Sequence, residues 1–298
     1  MSRIAFLGLG AMGAGMAANL AKDGREVIAF DLAPEALMRA AAAGRRTAAS
    51  AAEAVTGAAI VITMLPAGPQ VRQAYREDIL PNAQAGALLI DCSTIDVESA
   101  RAVAAEAAAA GLRMADAPVS GGTVGAEAGT LAFMVGCAAD DFDAVRDTLA
   151  PMARNVIRAG EAGAGQAAKI CNNMILGVSM LGVCEAFALA EKLGLDRDRF
   201  FEIASQSSGQ CWSLTTNCPI PGPVPGSPAN RDYAPGFATA MMLKDLKLAQ
   251  AAAASAGAAA PMGAQAEALF ALFDGLGYGG KDFSAVIQLF RGRLSELT

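Results

Sequence analysis

Residues 3–31 read RIAFLGLGAMGAGMAANLAKDGREVIAFD. The apolar run 3–7 suits a short parallel strand buried on both faces. It stops at Gly8-Leu9-Gly10-Ala11-Met12-Gly13, which has the form G-x-G-x-x-G. Apolar spacing at Ala17, Ala18, Leu20 and Ala21 then predicts a helix that ends near Gly24. A second strand, 26–30, closes on Asp31, eighteen residues after Gly13. The glycine pattern alone is a weak signal. Between a strand and a helix, with an acid closing the next strand, it is a dinucleotide-binding fingerprint.

The physics behind each position is specific. Gly8 permits the tight turn, Gly10 lets backbone approach a pyrophosphate, and Gly13 lets helix and strand pack closely. The turn as a whole, with Leu9, Ala11 and Met12, faces the positive end of the helix dipole. Asp31 can accept hydrogen bonds from both adenosine ribose hydroxyls and would repel a 2′-phosphate. Leu32 follows it where an arginine would favour that phosphate. The turn therefore predicts NAD rather than NADP.

Strands and helices continue to alternate outward from this stretch. Runs 58–64 and 87–91 are predicted strands, the first broken at Leu65-Pro66-Ala67-Gly68-Pro69 and the second followed by Cys92-Ser93-Thr94 and a helix over 97–110. Ligands of doubly wound sheets bind at strand C-terminal ends. Leu65, Pro66 and Thr94 are thus candidate cofactor contacts, with ordinary turn and N-cap roles as the alternative. Strand 112–115 leads into a stretch, 116–131, holding four glycines and read as a loop. Ser120, Gly121 and Gly122 offer a hydroxyl and sterically open N–H groups, suited to an anion such as a substrate carboxylate. Runs 131–135 and 155–159 finish the sheet.

From 163 the pattern changes. GAGQAAKICNNMILGVSMLGVCEAFALAEKL runs to 193 without proline. A helix of that length spans roughly 45 Å, enough to serve two domains. Lys169 and Asn173, spaced i, i+4, share one face of it. Such groups on an apolar helix are costly without a partner or a ligand, although a lysine can also snorkel. The remaining segments (199–205, 238–256, 261–272 and 283–293) are helical, interrupted by a proline-rich extended loop at 219–228. The expectation is a dinucleotide-binding domain over 1–163 and an all-helical domain over 164–298, joined by a long helix at about 165–193. Trp212 either walls a pocket or packs the core. Lys244-Asp245-Leu246-Lys247 places charge on another apolar helix.

Composition excludes other classes. A 298-residue chain that is 54% hydrophobic and 17% charged can bury two cores, and a net charge of −6 offers nothing to nucleic acid or an anionic membrane surface. The N-terminal uncharged run is too rich in glycine for a secretory signal or membrane span, so the expected location is the cytoplasm. Six cysteines without CxxC spacing read as small buried residues. With no histidine in the chain, proton transfer falls to Lys, Asp, Glu, Tyr or Cys, and a histidine-bound zinc is excluded.

Four segments, GLGAMGAGMAANLAKDG, DAPVSGGTVGAEAGTL, GAGQAAKICNN and MLKDLKLA, occur in the order found in the β-hydroxyacid dehydrogenases, and the chain resembles that family over nearly its whole length. Asn172-Asn173 after the lysine and SSGQCW before the proline-rich loop are similar to the 3-hydroxyisobutyrate dehydrogenases in particular. The resemblance implies a Rossmann-type domain, NAD as hydride acceptor, and oxidation of 3-hydroxyisobutyrate to methylmalonate semialdehyde in valine degradation. Tartronate semialdehyde reductase, or a broader serine or glycerate dehydrogenase, is the alternative; a non-catalytic NAD-binding protein is the remaining one. Lys169 would be the catalytic lysine and Asn173 would orient substrate. Ser120, Gly121 and Gly122 would hold its carboxylate. Lys244 would close over the cofactor, with Asp245 and Trp212 near the pocket. The thin Ala-rich helical domain suggests a homodimer or homotetramer.

Overall fold

Strand β1 (Ile4–Leu7) lies at the centre of a parallel sheet between β2 (Val27–Phe30) and β4 (Ile60–Thr63), in the computed structural model, which describes residues 3–297. The other strands are β3 (Arg46–Thr47), β5 (Leu88–Asp91), β6 (Arg113–Asp116), β7 (Val119–Ser120), β8 (Leu131–Gly136) and β9 (Ala153–Gly160). The sheet order is β3-β2-β1-β4-β5-β6-β8-β7, with β9 on β8. From β3 to β6 every pairing is parallel; β8 runs antiparallel to β6 and β7 and parallel to β9. The order reverses between β1 and β4, and a crevice for ligands opens at the strand ends beside such a reversal.

Both faces of β1 are covered, as its unbroken apolar run predicts. Ile4 and Phe6 join one core with Met16 and Leu20 of the Gly13–Lys22 helix. Ala5 and Leu7 join the other, with Val55, Val71 and Tyr75. Each large side chain buried this way contributes roughly 1.5–3 kcal/mol.

The reading of 116–131 as a loop is corrected. Val119–Ser120 is a short strand on β8, and Gly122–Ala128 is a helix. The glycines that suggested a loop start and stop this helix: Gly121 and Gly122 have positive φ at its head, and Gly129 is its left-handed cap.

Contacts divide the chain into Met1–Lys169 and Ile170–Thr298. This division lies six residues beyond the boundary expected at 163/164, because the first turn of the long helix Ala164–Lys192 is bonded into the sheet unit. In the second unit, Met180, Cys184 and Phe187 of that helix pack with Met242 and Leu246 of Thr239–Ala256 and with Phe270 and Phe273 of Pro261–Phe273. Their i, i+4, i+7 spacing is that of a helix burying one face. By length and hydropathy the Ala164–Lys192 helix could cross a bilayer, yet its Gln166, Lys169 and Asn173 are buried and its Met180, Cys184 and Phe187 pack in a protein core. Residues 283–293, expected as one helix, form a 3-10 turn Phe283–Val286 and a short helix Ile287–Arg291. Four cysteines are buried as expected; Cys171 is exposed and Cys211 partly so.

Candidate active site

The glycine turn follows β1 directly. A Cβ on Gly8 would strike the carbonyl of Met64 at the end of β4, and one on Gly13 would strike the carbonyl of Gly8. Both glycines are therefore demanded by the turn's own packing. Gly10 differs: a Cβ there would meet nothing within 4 Å. Its exposed backbone borders open space before the Gly13–Lys22 helix. This combination fits a dinucleotide, since closed packing fixes the turn while one bare backbone position remains for the pyrophosphate.

Asp31 follows β2 directly and ties the turn in place. Its Oδ2 accepts from the Leu9 N–H at 2.5 Å and its Oδ1 from the Ala33 N–H at 2.8 Å. Leu9 was expected among the cofactor contacts, but its side chain is buried in the core. What Leu9 contributes to the turn is the N–H that orients Asp31. Ala11 is exposed and Met12 half-buried beside it, while Leu32 stands 90% exposed.

Beneath the neighbouring loops runs a buried polar network that the sequence did not disclose. Asp91, closing β5, accepts from Thr63 Oγ1 at 2.7 Å and from Ser93 Oγ at 2.5 Å. Ser93 Oγ accepts in turn from the Leu65 N–H at 2.8 Å. The tips carrying Leu65, exposed Pro66 and Thr94 are thus held by one hydrogen-bonded set. Burial and the charge of Asp91 push the Tyr75 phenol well above its ordinary value, so it remains a neutral partner. It lies 3.4 Å from Thr63.

Asp116, closing β6, anchors the long helix. Its Oδ1 accepts from the Gly163 N–H at 2.6 Å and its Oδ2 from the Gln166 N–H at 2.9 Å. Burial pushes its carboxyl up to about 6, against the lowering effect of these N–H groups. The turn so anchored leads to Lys169, which is 6% exposed. Ser120 and Gly122 are half-buried and Gly121 is exposed, at the junction of β7 with the Gly122–Ala128 helix. Behind that helix, Asn19 donates to the carbonyls of Ala126 and Glu127 at 2.8 and 3.3 Å.

The second unit supplies the other candidates. Asn173, 1% exposed, donates its amide to Asp245 and accepts from Asn172 Nδ2 at 3.0 Å. Lys244 precedes Asp245 on the Thr239–Ala256 helix and is half-buried. Trp212 is 51% exposed at the head of the short helix Trp212–Thr215, which rules out the core-packing role.

Comparison with known proteins identifies the family. A profile described as the NAD binding domain of 6-phosphogluconate dehydrogenase matches residues 3–160. A second, described as NAD-binding of NADP-dependent 3-hydroxyisobutyrate dehydrogenase, matches 163–290. The solved structure of Mycobacterium tuberculosis 3-hydroxyisobutyrate dehydrogenase with L-serine superposes with a TM-score of 0.95 at 52% identity, covering 98% of this chain and 99% of that one. The chain belongs to the β-hydroxyacid dehydrogenase family. It is an NAD-dependent dehydrogenase of the 3-hydroxyisobutyrate dehydrogenase type. Two Pseudomonas aeruginosa relatives are similar over nearly the whole chain. A 3-hydroxyisobutyrate dehydrogenase is 49% identical, over 98% of this chain and all of the relative. An NAD-dependent L-serine dehydrogenase is 47% identical, over 97% and 98%.

Proposed function

We propose that this dehydrogenase oxidises 3-hydroxyisobutyrate to methylmalonate semialdehyde, with Lys169 as the proton acceptor. The observation that carries the reading is a buried lysine one helical turn before a buried asparagine, in a chain without histidine. A nicotinamide dinucleotide bound at the glycine turn supplies the hydride acceptor. Lys169, as the neutral amine, takes the proton of the substrate hydroxyl as the carbonyl forms; in reduction its ammonium returns that proton. Asn173 orients the hydroxyl. Ser120 and the N–H groups of Gly121 and Gly122 fix the carboxylate, so that the reacting C–H is presented in one orientation. In this reading Lys244 serves the cofactor, and Asp245 and Trp212 serve the substrate. Asp31 selects against a 2′-phosphate, because an acid already turned toward the Leu9 N–H would face a like charge.

L-serine is the second substrate reading, favoured by the serine dehydrogenase relative and by the solved relative holding L-serine. Glycerate marks the tartronate semialdehyde branch. The deciding experiment compares kcat/KM for the three acids, with wild type and Lys169→Ala, following nicotinamide absorbance. Highest kcat/KM for 3-hydroxyisobutyrate supports the first reading, and another winner moves the substrate but keeps the site. NAD binding with no turnover of any of them would return the chain to a non-catalytic role. Exposed Ile175, Leu189 and Leu193, on and just after the long helix, suit a face covered by another copy. A homodimer or homotetramer is the form we infer.

A further inference from the structure

We propose that Gln166 is a positioning residue that sets the Lys169 amine in register with the loop carrying Thr94. The proposal rests on the reading of Lys169 as proton carrier, and every contact it uses lies within the sheet unit.

Gln166 is completely buried. Its side-chain amide is committed at both ends to one short piece of backbone. Nε2 donates to the Ser93 carbonyl at 2.8 Å, and Oε1 accepts from the Ile95 N–H at 3.1 Å. A primary amide that bonds residues i and i+2 holds that segment as a neighbouring strand would. Thr94 is the residue between them. The segment is also the hub for the second cofactor-side tip, since Ser93 Oγ accepts from Leu65 N and donates to Asp91.

The other end of the linkage is the helix itself. Gln166 donates its own N–H to Asp116, which also receives the Gly163 N–H. The first turn is therefore held in two directions, to β6 through Asp116 and to the loop after β5 through Gln166. Lys169 follows at i+3, on the adjoining part of the same turn. A hydrogen-bonded helical turn moves as a body, so whatever fixes Gln166 fixes the root of the lysine side chain. Proton and hydride must leave neighbouring atoms of one substrate, and a misplacement of 1 Å costs on the order of 100-fold in rate. Gln166 thus joins the lysine's turn directly to Ser93 and Ile95.

Gln166→Met tests this by keeping volume and removing both bonds. The expected result is a fall in kcat of at least about tenfold, with the calorimetric dissociation constant for NADH changing less than about threefold. A kcat within about twofold of wild type overturns the proposal. So does a loss of NADH affinity as large as the loss of kcat, which would make Gln166 only a builder of the cofactor loop. If Gln166→Met does not fold, Gln166→Glu decides. Its protonated carboxyl can donate to Ser93 and accept from Ile95; its carboxylate cannot donate. Asp116 of β6 bonds this turn, Asp91 of β5 bonds Ser93, Arg101 lies beside Gly163 and Lys169 follows on the helix, so the acid titrates against both signs of charge. The kcat ratio of Gln166→Glu to wild type should fall as pH rises from about 5 to about 8 while NADH affinity holds. A ratio constant over that range overturns the proposal. Lys169→Ala, run in parallel, separates the two claims: wild-type kcat there sinks the lysine reading, and an inactive Lys169→Ala beside a wild-type-like Gln166→Met sinks only this one.

Discussion

Asn173 donates its side-chain amide to the carboxylate of Asp245, and both groups are buried. The bond fixes which end of the asparagine is oxygen and which is nitrogen. Asn172 reinforces that choice by donating to Asn173 Oδ1. Asp245→Ala would leave a buried amide short of its acceptor, a loss of about 1–3 kcal/mol. We expect KM for the β-hydroxyacid to rise about tenfold and KM for NAD to change by less than about threefold. Steady-state kinetics with each substrate varied in turn checks this split. Parallel loss of both would mean that Asp245 serves the helical unit as a whole.

Asp31 has two duties that substitution separates. It presents a negative charge where a 2′-phosphate would sit, and it holds the Leu9 and Ala33 N–H groups. Asp31→Asn keeps one acceptor and removes the charge. The NADP to NAD ratio of kcat/KM should rise about tenfold or more, while kcat/KM for NAD itself falls through the loosened turn. Asp31→Ala should lower NAD further without improving NADP to the same degree. An unchanged cofactor ratio in Asp31→Asn would remove Asp31 from discrimination.

What the sequence could disclose was local. The strand, glycine turn and helix of 3–31 announce themselves because each signal lies within a few residues of the next, and the strand alternation to 116 follows by the same rule. The network under the cofactor loops stayed hidden because its bonds join residues far apart in the chain: Thr63 to Asp91 is a separation of 28 and Gln166 to Ser93 one of 73. One trace was available. Asp91 and Asp116 end β5 and β6 in buried positions, and Asp31 directly follows β2; a buried acid at a strand end needs N–H or O–H donors from neighbouring loops. The Gly122–Ala128 helix was obscured by its own start and stop signals, since the glycines at 121, 122 and 129 that bound so short a helix make the stretch read as a loop.

Asp116 gives the protein a pH signature. Its carboxyl moves from 3.8 to about 6 on folding, so the folded state holds this proton more tightly than the unfolded chain does. The favourable contribution is complete below the unfolded value and is lost as pH rises through about 6. The swing is roughly 3 kcal/mol at 1.36 kcal/mol per unit. Other carboxylates also shape the overall curve, so the useful quantity is the difference in Tm between wild type and Asp116→Asn. Wild type should gain on the variant as pH falls from about 7 to about 4. A difference independent of pH would show that Asp116 titrates as an ordinary carboxylate.

Asn19 links the helix of the glycine turn to the helix that follows Ser120–Gly122. It donates to the carbonyls of Ala126 and Glu127, which lie in the last turn of Gly122–Ala128. Gly15, four residues earlier, allows the approach, because a Cβ there would lie 2.9 Å from the Ala126 carbonyl. Asn19→Ala removes both hydrogen bonds and leaves the packing of Gly15 intact. The cost to stability is about 1–2 kcal/mol. If the carboxylate is held by Ser120 and the two glycines, loosening the helix behind them should raise KM for the β-hydroxyacid about fivefold, and KM for NAD by less than about twofold. The comparison substrate is the corresponding methyl ester, which lacks the negative charge. Its already poor kcat/KM should be nearly the same in both enzymes, because the affected contacts serve the carboxylate. An equal loss for acid and ester would show that Asn19 shapes the fold of the sheet unit and leaves the anion site untouched.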